Sequence, residues 1–101
     1  MPKVSKQEAE KFLANVPEEY VFRCCDGRIF RNTKDLAQAL ASMADETFAY
    51  HSNEQKKDFS NWVRDIIGDK ELAKDIGKTL TRAQAANIVT KRVTFLNSKL
   101  F

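Results

Sequence analysis

Apolar residues recur along this 101-residue chain with two different periods, and the change between them predicts its elements. Ala9, Phe12, Leu13 and Val16 fall at three- and four-residue intervals, which puts them on one helical face. Ser5 and Glu8 precede them in capping-box spacing, and Pro17 predicts the stop. The period then shortens to two in "YVFRCCDGRIFRN", a β-hairpin pattern around Asp26-Gly27. Gly27 at the left-handed position of a three-residue loop would set Phe22 opposite Phe30. A lone hairpin is barely stable in water, so helices must cover its aromatic face.

Helical spacing returns with "NTKDLAQALASM", begun by Asn32 or Thr33, where Leu36, Ala39, Leu40 and Met43 form a stripe. "ADETFAYH" predicts a short helical turn that packs Phe48 and Tyr50. In "HSNEQKKDFSNWVRDIIGD", Ser52 and Gln55 suggest a second capping box and a helix start near Asn53. Phe59, Trp62, Val63, Ile66 and Ile67 give that helix a core face, with Trp62 its largest buried residue. Gly68 suits the left-handed position after it, and Asp69 the cap of the short helix "KELAKDIG". Thr81 and Gln84 repeat the capping spacing before a last helix, whose apolar positions run from Ala85 to Leu100. The expected fold is α+β: a single domain, residues 1–101, of one hairpin packed against about five helices.

Composition narrows the function. No apolar run approaches the ~18 residues of a membrane span, and the first residues lack an apolar signal core, so a cytoplasmic protein is expected. Cys24 and Cys25 are the only cysteines, and neighbours on a strand point to opposite faces. A bridge between them would be strained, which again fits a reducing compartment. The three glycines occupy turns and caps, so there is no phosphate loop.

His51, Asp58 and Asp65 are the candidate polar cluster. They offer at most three metal ligands, and the two aspartates lie roughly 10.5 Å apart along a helix axis. That separation is wide for a carboxylate pair working on one bond. A Cys24–His51 nucleophile pair is disfavoured, because hairpin thiols remote from cations and helix N-termini stay unactivated. No enzyme activity and no cofactor are therefore expected.

"FRCCDGRIFRNTKDLAQAL" followed by "FAYHSNEQKKDFSNWVRDIIGDKELA" resembles a family of small prokaryotic domains, archaeal and bacterial, of unknown function. The resemblance covers about residues 20 to 75, with Asp-Phe-x-x-Trp-Val-x-Asp its most specific run. The matching residues are Asp26, Gly27, His51, Asp58, Phe59, Trp62, Asp65, Gly68 and Asp69. Lys57 stands where the family pattern has Asn, so an amide role there is lost. The resemblance implies a linked His51, Asp58 and Asp65 cluster that ties helices together, and it implies no activity.

Charge adds a second candidate. Residues 1–69 carry ten basic and twelve acidic side chains, residues 70–101 seven and two, and no acid follows Asp75. Asymmetry of this kind points to an anionic partner. Residues 70–97 also resemble a helix-turn-helix, in which Arg82, Gln84, Asn87, Lys91, Arg92 and Lys99 are candidate nucleic-acid contacts. Lys78 departs from that pattern, which has an apolar residue after the glycine. The leading expectation is a non-catalytic protein-interaction or regulatory module, and the alternative is a small basic DNA- or RNA-binding protein.

Overall fold

Ser5 opens the first helix in the way its spacing requires. In the computed structural model, which describes residues 4–100, its hydroxyl accepts from the Glu8 amide at 3.1 Å. Glu8 returns the bond to the Ser5 amide at 3.2 Å. The helix, α1 (Lys6–Leu13), buries Ala9 and Phe12. It ends before Val16, because the Val16 amide leaves to bond the Arg31 carbonyl at 2.8 Å. The buried Thr33 hydroxyl meanwhile donates to the free carbonyl of Phe12. Pro17 is thus not what stops α1; the pull of the hairpin is.

After a short 3₁₀ turn, β1 (Phe22–Arg23) and β2 (Ile29–Phe30) pair antiparallel, with Phe22 opposite Phe30 as the pattern predicts. Gly27 carries φ 95°, a conformation that favours glycine, and Asp26 fixes the turn by accepting from the Arg28 amide. The two phenylalanine rings stack at 5.3 Å, and Phe59 stacks on Phe22 at 5.2 Å. Pairs of this kind contribute roughly 0.5–1.5 kcal/mol each beyond burial, and they nail the small sheet to the helices.

Asn32 caps α2 (Thr33–Ser42), whose Leu36, Ala39 and Leu40 are buried. α3 (Asp45–His51) buries Phe48 but leaves Tyr50 56% exposed under the ammonium of Lys56, contrary to the packed tyrosine expected. The next helix also differs from expectation. It starts at Asp58, not near Asn53, because the Asn53 side chain accepts from the amides of Gln55 and Lys56. Such local bonding holds residues 52–57 in a turn and competes with helix.

α4 (Asp58–Trp62) runs on into a wider π turn, Val63–Ile67, closed by the Gly68 amide on the Val63 carbonyl. Phe59, Trp62, Val63 and Ile67 are buried, and the Trp62 indole donates to the Tyr20 carbonyl at 2.8 Å. Gly68 leaves at φ 90° into α5 (Lys70–Gly77), capped by Asp69. α6 (Arg82–Ser98) then lies along α2 and touches α1, α3 and α5, burying Ala85, Val89 and Leu96. The fold is α+β and mostly helical, with six helices among the described residues. None of those helices is long and apolar enough to cross a membrane.

Candidate functional site

His51 sits where the end of α3, the start of α4 and the hairpin turn meet. The residue is 5% exposed, and its ring lies between Phe22, Phe59 and Tyr50, with centroids at 5.1, 5.3 and 4.9 Å. Both ring nitrogens are used. The Cys25 backbone N–H donates to Nε2 at 3.0 Å, so Nε2 carries the lone pair. Nδ1 therefore carries the proton and donates to Asp58 Oδ2 at 2.9 Å. Lys56 Nζ stands 3.4 Å from the same carboxylate oxygen and balances its charge. The bond pattern assigns one neutral tautomer and one ring orientation.

Asp65 is not part of this cluster. It faces solvent and is bound by its neighbour Arg64, with Nε and Nη2 at 2.9 and 3.2 Å from its two oxygens. Those bonds hold its carboxyl below the usual range. The axial separation from Asp58 and the wide turn beginning at Val63 carry Asp65 off the face that meets His51. The predicted three-residue cluster is thus His51 and Asp58, with Asp65 replaced by the backbone of Cys25.

The cysteines also depart from the strand argument. β1 ends at Arg23, and Cys25 already lies in the turn, so the opposite-face rule does not reach it. Cys24 is buried and Cys25 exposed, and both sulfurs and a donor nitrogen of His51 lie within 4.8 Å of one another. Burial is the main cause that pushes the Cys24 thiol above its ordinary value. The Asp26 amide opposes this, and the nearby Asp26 carboxylate reinforces it. Asp26 itself is held low, chiefly by the Arg28 amide. Cys24 alone is therefore a poor nucleophile at neutral pH. The available signal for this grouping was the position of both cysteines directly before Asp-Gly, where strand alternation ends.

The basic end is divided. Gln84, Asn87 and Lys91 face solvent on α6, in line with Thr94. Gln84 and Asn87 line a groove of about 350 Å³ with Asp75, Lys78, Thr79 and Ile88. Two of the predicted cations turn inward instead. Arg82 donates to Asp45 Oδ1 and to the Leu40 carbonyl, both at 2.8 Å, which ties α6 to α3 and α2. Arg92 grips Asp69 with two bonds of 2.8 and 2.9 Å, and Asp69 is 1% exposed. Lys99 lies 5.0 Å from the Phe95 ring. Gln84 also bonds the Leu80 amide rather than that of Thr81, a one-residue offset from the expected capping box.

Leu80, in the turn between α5 and α6, is 86% exposed. It borders a groove of about 480 Å³ with Asp45, Phe48, Ala49, Arg82 and Ala83. Compared with protein families, curated proteins and solved structures, the chain matches none.

Proposed function

We propose that the chain is a non-catalytic interaction module that docks a partner protein at the groove beside Leu80. The observation that carries this reading is the groove's make-up. Phe48, Ala49, Leu80 and Ala83 give it an apolar centre, and the Arg82–Asp45 ion pair gives it a polar rim. That is the anatomy of a protein–protein contact, whose core is apolar and depleted in charge. An apolar anchor side chain from the partner would fill it. Two free thiols suit a reducing compartment, and the reading places the module in the cytoplasm.

The test is a capture experiment from nuclease-treated extract, with the parent and Leu80→Asp compared. Leu80 is already in water, so the variant should melt as the parent does and lose the captured partner. Equal capture by both proteins overturns the groove. Loss of all partners on nuclease treatment supports the second reading instead. That reading, a small DNA- or RNA-binding protein using residues 70–97, is favoured by one observation. Gln84, Asn87 and Lys91 share a solvent-facing stripe of residue types that suit base edges and phosphates.

A further inference from the structure

We propose that Cys24, Cys25 and His51 form a zinc site at the tip of the hairpin, with Asp58 as its outer partner. The donor set comes first. Two sulfurs and one imidazole nitrogen lie within 4.8 Å of one another, and thiolate with imidazole is the ligand chemistry that zinc favours. Tetrahedral zinc, with bonds of about 2.3 Å to sulfur and 2.0–2.1 Å to nitrogen, needs the donors roughly 3.5–3.8 Å apart. No donor pair has to close by more than about 1.3 Å, and the piece that moves is a surface turn.

The second observation is the ring's orientation. Zinc-bound histidines characteristically give their other N–H to a carboxylate, which fixes the tautomer and strengthens the donor nitrogen. His51 is already held in this way, because Nδ1 donates to Asp58 at 2.9 Å. Nε2 points at the hairpin turn and, among the described residues, accepts from the Cys25 amide alone, at 3.0 Å. The metal takes that lone pair, and the displaced amide, on an exposed residue, turns to water.

Charge selects the ion. On binding, each thiol releases its proton to solvent and forms one sulfur–metal bond, while the neutral ring forms one nitrogen–metal bond. Two thiolates and a neutral imidazole balance a dication, and Lys56 already balances Asp58. A monovalent cation would leave excess negative charge beside Phe22 and Phe59. The exposed side of Cys25 supplies the entry path and leaves a fourth position for water or an outside donor.

The experiment uses the full chain, reduced and stripped of metal, titrated with cobalt(II) as the spectroscopic probe. The expected result is one cobalt per chain, with intense tetrahedral visible bands and a near-ultraviolet sulfur-to-cobalt charge-transfer band. One equivalent of zinc(II) should bleach both. Cys25→Ser changes an exposed side chain and should weaken binding at least as much as the outer variant. Asp58→Asn should weaken it about 10–100-fold, the usual effect of losing an outer-shell partner. In the unmutated chain, zinc should shift the His51 Nε2 resonance and remove the hydrogen-bonded signature of the Cys25 amide. Cobalt binding without a sulfur band, or unchanged affinity in Cys25→Ser, overturns the site. So does a His51 Nε2 resonance that ignores zinc, a result that needs no variant.

Discussion

Asp58 and Asp69 stand at the starts of consecutive helices, and each binds a basic side chain from another element, yet their surroundings differ. Asp69 is buried, and both its oxygens are bound by Arg92, while Oδ1 also accepts from the Leu72 amide. Its negative charge meets a positive one in a closed fork–fork pair, the strongest common form of such contacts. Asp58 is about a third exposed and holds a neutral ring through one bond, with Lys56 alongside. The first arrangement leaves nothing free. The second leaves a lone pair at Nε2 that only a backbone amide uses, next to two thiols. One aspartate locks two helices together, and the other sets up a donor.

The largest effect should come from breaking the lock. Asp69→Ala leaves the mostly buried Arg92 guanidinium with only the half-exposed Glu71 carboxylate, 3.8 Å away, and removes the cap of α5. Losing one partner of a buried pair costs about 3–5 kcal/mol. In a domain of this size the melting temperature should fall by roughly 15 °C or more. Thermal unfolding followed by circular dichroism measures this, and a fall of only a degree or two would mean that the pair is not closed in solution.

These two links were not equally legible in the sequence. The hairpin, Phe22 opposite Phe30, the Ser5 and Asn32 caps and the Asp69 cap all follow from local patterns, because local bonds decide them. His51 and Asp58 lie seven residues apart, near enough for spacing to suggest a bond. Asp65 follows Asp58 by the same seven-residue spacing, but an α period cannot announce a π turn, and the wide turn at Val63 carries it away. Asp69 and Arg92 lie on different helices, 23 residues apart, so only tertiary packing joins them. Read as sequence, Arg92 belongs to the basic face; in the fold it belongs to Asp69. The thiol cluster is hidden for a related reason, since β1 ends at Arg23, two residues before Cys25.

A smaller effect is expected at the other aspartate. Asp58→Ala leaves the Nδ1 proton of a buried ring without its acceptor, at a cost of about 1–3 kcal/mol. Asp65→Ala should leave the melting curve unchanged, because its ion pair with Arg64 is exposed to solvent. Nitrogen chemical shifts of the His51 ring supply the specific readout. They should show protonated Nδ1 with the same shift in the parent and in Asp65→Ala, and an Nδ1 resonance displaced by the lost hydrogen bond in Asp58→Ala. An identical ring spectrum in all three would break the contrast drawn between the two carboxylates.

The thiols divide on the same lines. Cys25 is exposed, while Cys24 is buried and its thiol is raised above its ordinary value of 9.0. At neutral pH iodoacetamide should label Cys25 first and reach Cys24 only through opening of the fold, which peptide mass spectrometry resolves. The sign for stability follows from the raised value. The folded state holds the Cys24 proton more tightly than the unfolded chain, so this contribution is intact below pH 9.0. It is lost as the pH rises through the folded value, and Cys24→Ala should lack that component of the alkaline decline. Equal labelling of both thiols would place Cys24 at the surface.

The smallest effect concerns the basic face, and it depends on the Asp69 lock. Phosphate contacts release counterions, and on duplex DNA each one adds about −0.9 to the slope of log K against log [salt]. If Arg82, Lys91, Arg92 and Lys99 all served, the slope would be about −3.6. Arg82 and Arg92 are held by Asp45 and Asp69, which leaves Lys91 and Lys99 of that set. Any duplex binding should then be weak, with a slope near −1.8, and Lys91→Gln should flatten it by about one unit. Arg92→Gln should not change the slope at all, although it should lower stability. Fluorescence anisotropy with a labelled duplex across a salt series separates the cases. A slope near −3.6 would mean that DNA pulls both guanidiniums from their carboxylates, and the lock at Asp69 would then be a latch.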